Sequence, residues 1–286
     1  MPPDAQGCPT GIVFNMAYGI QGECLYTHIP AMLELAGIPY TGSAPLGHAR
    51  ALDKVVTKDM IQAAGIPTPA YRVLWSRDAP TPGLCYPVVV KSRHESTSFG
   101  LKFVTQPRDL PAAVSSIIEQ YKQDALVEEY IDGREVCVGL LGNGRTLETL
   151  ELVEQDFGGR TLRLVTYDDK CHESAQEPEK ICAAPIESSL AEQLRRISIA
   201  TFRACHIRDY SRVDIRIDSA GRPFVLEINS MASLGAGGSY VLAALHSGYD
   251  FAALVNRLVD VAHQRYFGCP APRCSRASEL ATLATP

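Results

Sequence analysis

The stretch Val213–Asn229, VDIRIDSAGRPFVLEIN, limits the fold more than any other part of the chain. Val213, Ile215 and Ile217 alternate with Arg212, Asp214 and Arg216. Successive strand side chains point to opposite faces, so this spacing predicts a strand with one apolar and one charged face. Asp218-Ser-Ala-Gly221 has turn chemistry, and FVLEIN then reads as the returning strand of a hairpin. Alternation puts Val225, Glu227 and Asn229 on one face of it and Leu226 and Ile228 on the other. With the turn centred near Ser219–Ala220, Asp214 lies nearly opposite Glu227, and Arg212 nearly opposite Asn229. Like charges facing each other destabilise a hairpin, whereas a bound cation reverses that sign. Two carboxylates and a carboxamide supply only oxygen ligands, which suits Mg²⁺ or Mn²⁺ with phosphates completing the shell. The competing reading is a solvated face neutralised by Arg212 and Arg216. The hairpin alone leaves both open.

The chain around it is globular. Of 286 residues, 46% are hydrophobic and 21% charged, enough to bury a sizeable core. A net charge of −5 gives no bulk attraction to nucleic acid or anionic lipid. The nine cysteines are odd in number, form no CxxC and follow no secretory leader, which predicts a reduced, cytoplasmic setting. No apolar run approaches the roughly 18 residues of a membrane span.

Hydrophobic periodicity divides the rest into α/β elements. GIVFNMAYG (11–19) reads as a buried strand. Residues 27–36 read as a short helix ended by Gly37, and IPYTG as a second strand, together a β-α-β piece. Residues 46–71 read as one helix stopped by Gly65 and Pro67. Tyr86–Lys91 is a strand with a lysine at its end, and Glu95–Gly100 is a small polar loop before a strand at LKFV. Asp109–Gln123 is helical, and 125–131 and 134–142 are strands separated by Asp132-Gly133. Leu147–Val153 alternates. Asp156–Gln176 reads as loop with a short strand at Leu162–Val165. Helices over Ser188–Ala204 and Phe251–Tyr266 follow, and Cys269–Pro286 reads as a mobile tail.

IPYTGS, LDKVVTK, YPVVVKSRHESTSFG, LVEEYIDGREVCVGLLGNG, YSRVDIRID and FVLEIN occur in that order. This series resembles the ATP-grasp superfamily, within it the D-alanine–D-alanine ligase-like branch, over residues 11–268. The resemblance implies α+β lobes gripping ATP, with a carboxylate converted to an acyl phosphate that an amine attacks. It divides the chain into a partial N-terminal α/β domain (1–46), a central lobe (47–131), a C-terminal lobe with the metal site (132–268) and a tail (269–286). Lys54 and Lys91 resemble the lysines that contact ATP phosphates. Ser96, Thr97, Ser98 and Gly100 resemble the small loop that closes over them. Glu128, Glu129, Tyr130 and Ile131 resemble the adenine-reading linker, and Glu135 the acid that binds the ribose. Lys170 resembles a further phosphate lysine, and Arg212 the arginine that stabilises the tetrahedral oxyanion. Asp214, Glu227 and Asn229 resemble the metal set, in agreement with the pleat argument. Amino acid or peptide substrates and a homodimer are also implied, with no nucleic acid or membrane partner.

Three departures accompany the resemblance. The family's opening β-α unit, with its glycine-rich loop, has no counterpart ahead of GIVFNMAYG, so a truncated N-terminal substrate domain is expected. The family's His-Gly and Gly-Glu-Asp-Gly correspond to Tyr18-Gly19 and Gly22-Glu23-Cys24-Leu25. The Asn-x-x-Pro-Gly segment and the serine contact to the second substrate become NSMASLGAGGSY (229–240), and Cys171 stands where an aromatic is usual. ATP and metal positions are thus kept while acceptor positions are changed.

Overall fold

Two antiparallel sheets face each other across a cleft. The smaller has the order β1-β4-β2-β3, from β1 (Tyr71–Leu74), β2 (Val88–Ser92), β3 (Lys102–Val104) and β4 (Ala125–Glu129). The larger has the order β7-β6-β5-β8-β9, from β5 (Gly133–Leu141), β6 (Glu148–Asp156), β7 (Glu179–Ile181), β8 (Tyr210–Asp218) and β9 (Pro223–Asn229). The helices are α1 (His28–Leu35), α2 (Pro45–Leu52), α3 (Lys54–Ala63), α4 (Leu110–Tyr121), α5 (Tyr167–Lys170), α6 (Ser188–Ala204), α7 (Ser239–His246) and α8 (Phe251–Phe267). This computed structural model describes residues 11–19, 24–81, 83–95, 98, 100–170, 177–269 and 271. None of its helices is long and apolar enough to cross a membrane among the described residues.

Each sheet is closed by helices on its apolar face. Val88, Val90 and Val127 of the smaller sheet pack on Val114 and Ile117 of α4. On the larger sheet, Val213, Ile215 and Ile217 point to one side, onto Leu194 and Phe202 of α6, together with Ile61 of α3. Residues of the opposite parity serve the other side: Leu141 and Tyr210 meet Tyr240 of α7 and Leu254 and Leu258 of α8. Each fully buried aliphatic side chain contributes about 1.5–3 kcal/mol. The chain passes between sheets at Tyr130–Asp132. Gly133 makes that crossing at φ 154°, where an added Cβ would lie 2.0 Å from the Ile217 carbonyl oxygen.

Several local expectations need correction. GIVFNMAYG forms no strand: Val13 makes one parallel bridge to Tyr40, and IPYTG supplies only that partner. An isolated pair has no further strand to propagate the ladder. The helix expected over 46–71 is two helices. Asp53 breaks it with extended backbone (φ −81°, ψ 101°), and its carboxylate accepts from the Val55 and Val56 amides to cap α3. Leu162–Val165 forms no strand. Asp169 instead accepts from the Thr166 amide and hydroxyl and from Arg160, a local side-chain network that competes with extended pairing. α7 was not foreseen. In the hairpin, Arg212 pairs with Asn229 and Asp214 with Glu227, as the spacing predicts, but the register shifts after Asp214. Ile215 pairs with Val225, so Leu226 is the extra residue of a bulge. Val225 therefore joins the core, and Leu226 turns to the cleft beside Glu227.

Candidate active site

α3 places four side chains inward at helical spacing: Lys54, Thr57, Lys58 and Ile61 are all buried. Two lysines in a buried stripe need partners. Glu128, at the end of β4, supplies one: its Oε2 lies 2.9 Å from Lys58 Nζ and its Oε1 2.5 Å from Lys91 Nζ. Lys58 also donates to Thr68 Oγ1 at 2.7 Å, whose hydroxyl donates to the Val225 carbonyl. Burial works to raise the Glu128 carboxyl, but the two ammonium groups outweigh it and hold it at about 2. The lysines diverge. Burial pushes Lys58 down, with Glu128 opposing; for Lys91 the same penalty is outweighed by Glu128 and Glu227, so it is raised. Lys91 has the closer carboxylate contact, whereas Lys58 is also pushed down by the neighbouring Lys91 charge.

Asp53 ties this helix to the loop after β2. Its carboxylate accepts from Arg93 Nε at 2.8 Å and Nη2 at 2.7 Å while capping α3, and His94 Nε2 lies 3.4 Å away. Burial would raise its carboxyl, yet the His94 and Arg93 contacts and the α3 amides hold it well below the usual carboxylate range. Lys54 donates to the Glu95 carbonyl, at the root of the loop that carries Ser98. Ser98 lines a narrow slot between the two sheets and has φ 58°. Ser96 and Thr97 lie outside the described residues. Lys170 closes α5.

The linker between sheets forms the slot's next wall. The Glu129 amide donates to the Ala70 carbonyl and the Tyr130 amide to the Pro87 carbonyl, so these two donors serve the fold. The Glu129 carboxylate accepts from the Cys85 amide at 2.9 Å. Arg216, only 2% exposed, donates to Glu135 Oε2 at 2.8 Å, to the Ile131 carbonyl at 3.2 Å and to the Arg163 carbonyl. Its guanidinium lies 5.2 Å from the Tyr130 ring centroid. Arg216 thus pins the linker and the candidate ribose acid Glu135 to β8. Lys54, Lys91, Ser98, Glu128–Ile131, Glu135 and Glu227 all line this slot, with Leu226 as apolar floor. Its volume is about 90 Å³, below the roughly 300–1,000 Å³ of small-molecule sites. A nucleotide therefore requires its walls to separate.

A larger cavity of about 700 Å³ adjoins it, sharing Glu135, Asp214 and Glu227. Arg212 and Asn229 line it as well. Arg212 holds both oxygens of Asp214, at 2.6 and 2.7 Å. Burial opposes its charge, but Asp214 outweighs this and raises it further. Asn229 Nδ2 donates to Asp214 at 3.0 Å and approaches Glu227 Oε1 at 3.5 Å. Arg212 therefore neutralises Asp214, and the Asn229 amide bridges Asp214 and Glu227 by hydrogen bonds, while Arg216 is committed to Glu135. Three oxygen-bearing side chains on one hairpin end fit a hard divalent cation, the Asn229 amide rotating to present its oxygen. No group of three His, Cys, Asp or Glu with metal geometry occurs among the described residues, because the third member here is an asparagine. Cys137 also lines the cavity, and burial pushes its thiol up to about 12, so it is no nucleophile.

Lys58, Asp53 and Leu226 were not singled out from the sequence. For Lys58 the signal was present: DKVVTK puts it four residues after Lys54, on the same buried stripe. Leu226 had no such signal, because a bulge is a property of pairing.

The model of the family described as D-ala D-ala ligase C-terminus matches residues 60–260. The "uncharacterized protein y4sG" of Sinorhizobium fredii is 53% identical over 268 residues, covering 94% of this chain and 79% of that one. The D-alanine–D-alanine ligase of Geobacter sulfurreducens is 34% identical over 262 residues, covering 90% and 78%. The solved structure of the D-alanine–D-alanine ligase from Coxiella burnetii superposes with a TM-score of 0.74 at 23% identity, covering 95% of this chain and 71% of that one, a likeness of fold. The two-sheet cleft and the sequence relationship converge: the chain belongs to the D-alanine–D-alanine ligase-like family of ATP-grasp enzymes, which are ATP-dependent ligases forming C–N bonds.

Proposed function

We propose that the protein joins the carboxylate of one amino acid or peptide to the amine of another, through an acyl phosphate made from ATP. The observation that carries this reading is the junction, at Asp214 and Glu227, of the narrow slot between the two sheets and a larger cavity. A phosphoryl group placed there touches both compartments. Lys54 and Lys91 bind phosphate oxygens, Lys91 leaving part of its contact with Glu128 to do so, and Ser98 and its loop cover them. Lys170 is assigned to the same phosphates by position in YDDK. Ile131 and Leu226 pack the base, and Glu135 takes the ribose hydroxyls. Mg²⁺, or Mn²⁺, held by Asp214, Glu227 and Asn229, supplies charge neutralisation between two anions when bound.

The carboxylate oxygen attacks the γ-phosphorus and ADP leaves. The amine then attacks the acyl carbon, and inorganic phosphate leaves. Arg212 stabilises the oxyanion between these events. Its present partner, Asp214, is among the residues that would hold the cation, and sharing that carboxylate would release the guanidinium for this role. Exclusion of water by the closed slot protects the acyl phosphate. The reaction takes place in the cytoplasm, and a homodimer is the expected assembly. D-alanyl-D-alanine synthesis is the narrower form of this reading, and an ATP-binding module without turnover is its opposite.

Phosphate release from Mg·ATP, measured against single and paired amino acids, tests the proposal. Release that needs a particular acid or pair and disappears in Glu227→Gln supports the ligase. Stimulation by D-alanine alone selects the narrower form. ATP binding without stimulation by any pair selects the idle module.

A further inference from the structure

The larger cavity holds a cation that the chemistry above does not use. Lys180 sits on the edge strand β7, directly opposite Gln155 of β6, and both line the cavity. Opposed residues of an antiparallel pair project to one face. Gln155 in turn pairs with Glu135 of β5, and Glu135 with Arg216 of β8. Lys180, Gln155, Glu135 and Arg216 therefore form one row across the cleft face of four strands. Strands lie about 4.8 Å apart, so Lys180 stands roughly 14 Å from the β8 end of that row, measured between backbones. Gln155 Nε2 also donates to the hydroxyl of Ser239, the first residue of α7, at 3.3 Å. The backbone amides that open α7 add a partial positive charge to the same wall.

Charge accounting singles out Lys180. Two cationic side chains line the cavity among the described residues, Arg212 and Lys180. Arg212 is bound through Nε and Nη2 to the two oxygens of Asp214. The acids Asp169 and Glu135 are engaged by Arg160 and Arg216, and Glu177 has a partner of its own. Lys180 faces a neutral glutamine, and no carboxylate lies within ion-pair distance of it among the described residues. A neutral occupant leaves this ammonium without a counter-charge in a half-buried wall. An anionic group gains a charge-assisted hydrogen bond there.

Resting on the ligase reading, we infer that Lys180, with Gln155 and the start of α7, selects an amine acceptor that carries a carboxylate remote from its reacting amine. The row sets Lys180 three strands away from β8, which carries Asp214 at the proposed reaction junction, and this suits either the side chain of an acidic amino acid or the C-terminus of a short peptide. Both sources offer the same carboxylate chemistry.

Calorimetric binding to the full chain with Mg·ADP separates them, with glutamate against glutamine as one arm and alanyl-alanine against its amide as the other. At least tenfold tighter binding of the acid in one arm, lost in Lys180→Met, is expected, and the arm that shows it names the source. Lys180→Glu should then prefer lysine over glutamate. Equal binding of acid and amide in both arms, no binding of any member, or a preference that survives Lys180→Met overturns the inference. Melting temperatures of the variants report whether they fold. Phosphate release with the same panel keeps the two proposals apart. Lys180-dependent binding without turnover sinks the ligase reading and leaves the anion wall. Turnover with neutral acceptors, indifferent to Lys180→Met, does the reverse.

Discussion

Replacing Glu128 with glutamine leaves two ammonium groups, on Lys58 and Lys91, facing a neutral amide in a wall where their side chains are 0% and 12% exposed. Removing one partner of a buried ion pair costs about 3–5 kcal/mol, because the remaining charge stays buried. The pH linkage gives a similar size by another route. The Glu128 carboxyl titrates near 4.5 in a model compound and at about 2 in the fold. A folded value below the unfolded one means stability present above about pH 4.5 and lost as pH falls toward about 2. That gap is worth roughly 3 kcal/mol. Melting should fall by roughly 6–20 °C at neutral pH, from about 2–4 °C per kcal/mol in chains somewhat shorter than this one. Thermal unfolding from pH 7 down to pH 3 is the assay. The gap between wild type and Glu128→Gln should narrow as pH drops below about 4.5. The double variant Lys58→Met/Glu128→Gln should recover part of the loss, since one stranded cation is gone. A melting change under about 2 °C, a gap independent of pH, or strict additivity with Lys58→Met would refute the three-member charge cluster.

Asp53→Ala removes the cap of α3 and the anchor of Arg93, so it should cost about 0.5–2 kcal/mol in urea unfolding and raise the KM for ATP more than it lowers kcat. Unchanged ATP kinetics would separate Lys54 from this anchor. Arg216→Met strands Glu135 and the Ile131 carbonyl, with an expected loss of about 2–4 kcal/mol and weaker ADP binding by calorimetry. Wild-type ADP affinity would show that the linker holds its place without Arg216. Gly133→Ala drives a Cβ against the Ile217 carbonyl at a φ that L-residues avoid, so a loss above about 2 kcal/mol is expected in the same unfolding assay. A change below about 0.5 kcal/mol would mean the crossing between sheets relaxes easily.

Much of the site was legible because it rests on period-two alternation and on a turn of defined length. Those two facts alone put Asp214 across from Glu227 and Arg212 across from Asn229, the register the hairpin adopts. The core-facing set Val213, Ile215 and Ile217 follows from the same period, and helix α6 from its apolar stripe. Elements that depend on distant partners were misread. GIVFNMAYG has strand composition but only one residue to pair with, and Leu162–Val165 yields to the Asp169 network.

Local chemistry in the sequence therefore determined the hairpin with its facing acids, the helices with a clear apolar stripe and the strand that carries Lys91 near its end. Tertiary structure alone decided which acid each lysine meets. Glu128 lies 70 residues from Lys58 in the chain, and only the fold, with α3 packed on β9 and the end of β4 within reach of its lysine, brings them together. It also decided the bulge that turns Leu226 to the cleft, and the row that sets Lys180 across the larger sheet from Arg216. Periodicity acts over a few residues, whereas register and ion pairing between separate elements are settled by how whole faces pack and which charges they leave to be neutralised.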